Sequence, residues 1–510
     1  MRASNAYYLA AAVLPAALAC ENPETHACAS AFYYNSASAS AFCATYTAGS
    51  GTVPALFSSA CPESKDLSKG CTCFATAGAA AATSSSAAVA TSAAVTSVAT
   101  TLVTSTRASS SAAAVASSSV PAATSSSVVA STAAATTVSA VADSSGSSGA
   151  GGTAISSLTG GSGVGGATCT VTALADVTAS LAACSNVLLS GVSIPASSTL
   201  SVEVSSDAAL LFAGTMTVGY TPDADFTPIV LKGTGAKIAG LAGAVIDGSG
   251  SDYWDGEGSN GGTAKPDHFI KIDDMVSSSF SDLTIQNWPT HLFEITGCTD
   301  MEMYNLILDN SAGDALDSDG DALGHNTDAF DVSSTDGLYV HDATVYNQDD
   351  CTAVNSGSNM VFSNMYCSGG HGLSIGSIDS GVTVSNITFQ DSSVVNSENA
   401  CRIKTDADGS DSTVSDITYS NIYVSGITDY AIDVQQDYEN GDPTGDPSTA
   451  ITVSGVTFTD ITGSVSGDDA YQYYILCGSD SSCEDFTWSG IDISGGQTSC
   501  SPSGDICPSS

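Results

Sequence analysis

The sequence predicts an all-β fold, a right-handed parallel β-helix, over residues 167–510, and three observations carry that reading. One six-residue phrase recurs eight times: Phe280-Ser-Asp-Leu-Thr-Ile285, Met303-Tyr-Asn-Leu-Ile-Leu308, Val340-His-Asp-Ala-Thr-Val345, Phe362-Ser-Asn-Met-Tyr-Cys367, Val384-Ser-Asn-Ile-Thr-Phe389, Val414-Ser-Asp-Ile-Thr-Tyr419, Val453-Ser-Gly-Val-Thr-Phe458 and Trp488-Ser-Gly-Ile-Asp-Ile493. Anchored on the third residue, the spacings are 23, 37, 22, 22, 30, 39 and 35. A coil of about 22 residues with loops inserted at particular corners would give that series. Each phrase also alternates apolar and polar residues at period two, as a half-buried strand does. Its third residue is Asp, Asn or Gly, which suits a tight corner. Finally, helical periodicity is missing after Cys184. A β-sandwich has many short strands too, but not one fixed phrase at coil spacing.

Composition divides the preceding chain into three parts. Residues 1–19 read as a secretory signal, with one Arg, an apolar run through Leu9–Leu14 and Ala17-Leu18-Ala19 as a cleavage site. Cleavage leaves Cys20 first, which also fits a lipoprotein anchor, although five further cysteines stand close by to pair with it. No other stretch is apolar and long enough to span a bilayer. Residues 20–75 hold six of the 16 cysteines and read as a small disulfide-stapled module. It is either a wall or glycan anchor or a plain stabilised cap. Residues 76–166 are nearly all Ser, Ala, Thr, Val and Gly, with Arg107 and Asp143 as the only charges. Without aromatics or a period they cannot form a core, and they read as an O-glycosylated linker or a wall-embedded stalk.

The solenoid begins with a short helix in which Leu174, Val177 and Leu181 share one side, suited to cover its open end. A second strand column aligns on Val332, Val354, Ile375 and Ile403. Four positions before these lie Asp328, Asp350, His371 and Asn399, so the first three should stack on rungs ~4.8 Å apart. Asp349 precedes Asp350. From Ile272 onward the only formally positive side chains are Arg402 and Lys404, in a chain with 53 Asp plus Glu against 10 Lys plus Arg. At i and i+2 of a strand these two share a face, one rung on from His371. Carboxylates, an imidazole and a cation fork on one face suggest a pocket for a carboxylate-bearing ligand. The plainer alternative for Arg402 and Lys404 is a salt bridge to a nearby Asp.

Gly324-His325-Asn326-Thr327-Asp328, Gln348-Asp349-Asp350, Gly370-His371-Gly372 and Arg402-Ile403-Lys404 resemble the four signature motifs of the polygalacturonase family of glycoside hydrolases, most nearly its fungal endo-acting members. Gln435-Gln436-Asp437-Tyr438 is similar to that family's substrate-binding tyrosine segment. The resemblance runs from about Cys169 to Cys507 and does not touch residues 20–166. It implies that Asp349 donates a proton to the glycosidic oxygen, that Asp328 and Asp350 hold and deprotonate water, and that His371 tunes the acid or contacts substrate. Arg402, Lys404 and Tyr438, with Asn326 and Gln348, would bind galacturonate. It implies bridges Cys169–Cys184, Cys351–Cys367, Cys477–Cys483 and Cys500–Cys507, leaving Cys298 and Cys401 to pair or stay buried thiols. Inversion of the anomeric centre is also implied, with pectin as partner and no cofactor. The residues agree with the division of labour, since acetal hydrolysis needs one protonated and one ionised carboxyl, and crowded carboxylates separate each other's pKa values.

The acidic loop from Ser311 to His325 invites a calcium reading, but its Asp spacing fails the EF-hand pattern. His26, His268, His291, His325 and His341 lack metal-ligand spacing and read as structural or surface residues; no metal is expected. Asn386-Ile-Thr388 is an N-glycosylation sequon. The charge of −43 excludes nucleic acid as a partner and favours acid-active chemistry on a polyanion, because low pH relieves the repulsion. The expected protein is a secreted monomer, with the N-terminal module as a candidate wall anchor. The rival readings are exo-acting, rhamnogalacturonan or xylogalacturonan hydrolysis, pectate elimination, and wall binding without catalysis.

Overall fold

The computed structural model describes residues 166–508 apart from 207, 319, 441 and 442, together with Cys71. The expected signal, module and linker otherwise lie outside the described residues. From Thr168 onward the chain winds into a parallel β-helix. One sheet has 11 strands whose spatial order follows chain order from Leu200–Val204 to Gln497–Ser501, and an 18-stranded sheet forms the rest of the wall. Every strand pairing in both sheets is parallel, so the chain comes back one rung on after each coil.

Inward residues of the 11-stranded sheet form one apolar column. Val332, Val354, Ile375 and Ile403 pair in the order the sequence predicts, and the column extends to Ile295 on one side and Val434 on the other. On the facing wall Phe362, Phe389, Tyr419, Phe458 and Trp488 stack with ring centroids 5.1, 4.8, 5.3 and 4.6 Å apart. Such pairs add about 0.5–1.5 kcal/mol each beyond their buried area. The buried Tyr419 hydroxyl lies 3.0 Å from the Leu373 carbonyl and 2.9 Å from that of Arg402, which fastens the strand bearing Arg402.

The repeated phrase is present, but its register differs from the sequence reading. Phe362 pairs with Phe389, whereas Val384 pairs with Gly357. Each of these coils therefore holds the phrase twice, five residues apart, on either side of a bend, and the sequence alignment slipped from the second copy to the first at Val384. Corner residues explain the motif. Asp282, Asn305, Asp342, Asn364, Asn386, Asp416, Asn421 and Asp460 all take positive φ near 55°, a region Asn and Asp tolerate better than other side chains. Asn305 and Asn421 donate to the corner residues Asp282 and Asp391 one coil back.

A 3-10 turn at Leu174–Asp176 and a helix at Val177–Ala183 close the N-terminal end. Val177 is buried, with Leu174 and Leu181 packed on the core. The four implied disulfides are all present, and Cys298 and Cys401 are buried thiols. Among the described residues no helix is long and apolar enough to cross a membrane.

Candidate active site

The outer side of the 11-stranded sheet carries an open cleft of about 630 Å³. Asp328, Asp350 and His371 stand just ahead of Phe330–Ser333, Thr352–Val354 and Leu373–Ile378, where the chain turns into each strand. The main chain locks these turns together. Ala329 donates to the Asp350 carbonyl at 3.0 Å and His371 to the Asp349 carbonyl at 2.9 Å. Asn347 Nδ2 reaches the carbonyls of Thr327, Asp349 and Asp350. Gly370 is needed beside His371, because a Cβ there would come within 1.9 Å of the Asp349 carbonyl oxygen.

Asp349 accepts from Asn326 Nδ2 at 3.1 Å and from the Asp350 amide at 2.7 Å. His371 Nδ1 lies 2.9 Å from its Oδ1, and His371 Nε2 lies 3.1 Å from Glu398. Both oxygens of Asp350 are taken, one by Ser374 Oγ at 2.6 Å and one by Lys404 Nζ at 2.8 Å. Asp328 differs: its Oδ1 is buried without a hydrogen-bond partner.

Burial, and then the neighbouring carboxylates Asp349 and Asp331, push the Asp328 carboxyl well above the ordinary range. Burial acts in the same sense on Asp349, but His371 and Lys404 outweigh it and hold that carboxyl well below the range. His371 is itself raised far above an ordinary imidazole, since Asp349 and Glu398 overcome its burial. Of these two carboxyls, Asp328 is thus the one whose surroundings favour the protonated form and Asp349 the one whose surroundings favour the charge.

Arg402 and Lys404 project from Asn399–Asp406 into the cleft, and both are paired. Arg402 Nε lies 3.3 Å from Asp433, and Lys404 holds Asp350. The salt-bridge and ligand readings are thus not exclusive. The Tyr438 ring covers both cations, 5.5 Å from Arg402 Cζ and 5.0 Å from Lys404 Nζ. Tyr438 closes Tyr430–Tyr438, which carries it to the next rung.

Gln348 does not belong with the substrate-facing residues. Its Oε1 accepts from Asn310 and Thr327 and its Nε2 donates to Asn310 and Asp314, so it fastens the acidic loop instead. In that loop the carboxylate of Asp317 caps the amides of Gly320 and Asp321. His268, His291 and His325, which the sequence reads as structural or surface residues, line the cleft. Asp331, Asn399 and Gln435 also line it, each with a buried side-chain oxygen lacking a partner. Asn399 is the next member of the Asp328–Asp350–His371 column, and its partner Tyr430, which also lines the cleft, continues that column by one more rung.

The family model for glycosyl hydrolases family 28 matches residues 184–505. The chain is 46% identical to endopolygalacturonase D of Aspergillus niger over 511 residues, covering 98% of this chain and 99% of that protein. It is 45% identical to a polygalacturonase of Fusarium fujikuroi over 350 residues, 67% of this chain and 93% of that one. Among solved structures it is similar to endopolygalacturonase I of Stereum purpureum complexed with two galacturonates, with a TM-score of 0.60 and 34% identity, covering 65% of this chain and 96% of that chain. The chain belongs to glycosyl hydrolases family 28.

Proposed function

We propose that this protein is an endopolygalacturonase that hydrolyses internal α-1,4 bonds of the galacturonan in pectin by a single displacement. The observation that carries the reading is the meeting of three carboxyls with a buried cation pair under one tyrosine ring, in a chain matched nearly end to end by an endopolygalacturonase. Asp349 is the acid, and Asp328 and Asp350 hold the attacking water. A uronate carboxylate against Arg402 and Lys404 engages the Lys404 charge that, with His371, keeps Asp349 ionised, and adds a negative charge nearby. Both effects raise the Asp349 pKa and move the shared proton from Asp328 to Asp349. Asp349 then protonates the leaving oxygen, as general acid catalysis requires, while ionised Asp328 takes a proton from water.

Inversion is favoured by the engagement of Asp350. Asp349 and Asp350 offer oxygens within 4.8 Å of each other, closer than the ~6.5–9.5 Å usual in inverting pairs. Yet both oxygens of Asp350 are committed to Ser374 and Lys404, which makes it a poor nucleophile. Export, a monomeric state, wall attachment through residues 20–75 and a glycan on the exposed corner residue Asn386 belong to the same proposal.

Product profiling on unesterified polygalacturonate tests the activity. Mixed oligomers early in the digest are expected. Monomer alone would mean exo action, and unsaturated ends would mean elimination.

A further inference from the structure

We propose that His291 is a positioning residue that favours the charged, water-activating form of Asp328 once substrate is bound; this rests on the role of Asp328 given above. Each of the three carboxyls has its own cation. His371 lies 2.9 Å from Asp349 and Lys404 lies 2.8 Å from Asp350. For Asp328 the cation is His291, whose Nε2 stands 3.7 Å from the otherwise unpartnered Oδ1. His291 opens the strand His291–Thr296, one rung before Phe330–Ser333, and so faces the turn that carries Asp328.

The imidazole is braced from behind. Its Nδ1 donates to the Asp267 carbonyl oxygen at 3.0 Å, with Asp267 Oδ1 at 3.6 Å, which leaves Nε2 directed at Asp328. His268 lies beside it, with ring centroids 4.9 Å apart, and bridges Asp267 and Asp331 at 2.9 Å each. The charged groups facing His291 are therefore Asp267, His268, Asp328 and Asp331. Lys271, on the strand His268–Asp273, and Glu294, on His291–Thr296, pair with each other at 2.6 Å. Burial pulls the His291 pKa down, but the carboxylates of Asp267, Asp328 and Asp331 push it up to about 10. It is thus a fixed cation throughout the acidic range.

A fixed positive charge beside Asp328 opposes the burial and carboxylate crowding that would keep it protonated. It therefore helps to transfer the shared proton to Asp349 once substrate is bound. The consequence lies in the basic limb of the rate profile, where the pair of Asp328 and Asp349 loses its last proton and activity ends. An opposite charge at this range lowers a carboxyl pKa by about 1–3 units.

The test is the pH dependence of kcat/KM on polygalacturonate for the full chain, its neutral variants His291→Gln and His291→Met, and the cationic His291→Arg. Both neutral variants should show a basic limb moved up by about 1–3 pH units and a plateau lowered roughly tenfold or more, because less of the pair carries its proton on Asp349. His291→Arg should keep both the limb and the plateau in place. An unmoved limb in the neutral variants, or equal loss in all three at every pH, would overturn the proposal. Asp328→Asn, run alongside, separates this inference from the mechanism it rests on, because near-normal turnover in that variant would remove Asp328 itself from the water-activating role.

Discussion

Lys404 donates from Nζ to Oδ2 of Asp350 at 2.8 Å, and both residues are buried. The cation that the sequence suggests for substrate is also the counter-ion of a carboxyl in the reacting group. Breaking a buried pair by removing one partner costs about 3–5 kcal/mol. Lys404→Ala is therefore expected to lower stability in urea unfolding as well as turnover. The double variant Lys404→Ala/Asp350→Asn should regain stability but not activity. Wild-type stability in the single variant would mean that the pair contributes nothing to the fold.

Asp349→Asn is expected to fold normally and lose about 10²–10⁴-fold in kcat, the usual range for losing a general acid. The amide keeps one acceptor oxygen, enough for the Asp350 amide, but loses the acceptor that faces Asn326 Nδ2 and has no acidic proton to give. Retention of more than about a tenth of the rate, against the loss that range predicts, would assign the acid elsewhere.

The part of this site that stacking encodes was legible in the sequence. The column Val332, Val354, Ile375, Ile403 has one apolar residue per rung, so the offset to Asp328, Asp350 and His371 could be counted without knowing the loops. The hexapeptide column slipped at Val384 because successive strands in one coil repeat nearly the same phrase, and a period alone cannot separate them. The sequence reads His268 and His291 only as structural or surface residues because their partners lie across a long insertion, Asp328 one coil on from His291 and Asp331 two coils on from His268. Gln348 misled for a different reason: adjacency to Asp349 in sequence does not fix direction at a turn, and its amide faces the loop at Asn310.

Stability should also depend on pH through Asp433, which is fully buried next to Arg402. Burial pushes its carboxyl up to about 7 against the pull of Arg402. From an unfolded value of ~3.9 up to that point, the folded chain holds a proton that the unfolded chain has released. The group's contribution is therefore full below about pH 4 and is lost as pH rises through about 7. Asp433→Asn should flatten the fall in urea stability across that window. An unchanged slope would mean that Asp433 does not titrate there.

Removing residues 20–166 should leave a folded enzyme with near-normal rates on soluble polygalacturonate. The cap helix and the Cys169–Cys184 bridge close the solenoid from within residues 166–508. Binding to intact cell walls is where a loss is expected. Collapse of activity on soluble substrate would make the N-terminal part a component of the catalytic unit.

The central claim is that Asp328 and Asp350 activate water on one side of the sugar while Asp349 protonates the leaving oxygen from the other. Proton NMR of the first-formed reducing ends tests it most directly. Hydrolysis of α-linked galacturonan should release β-anomers before mutarotation sets in. Initial α-anomers would contradict the account, because they require a covalent intermediate on one of these carboxylates.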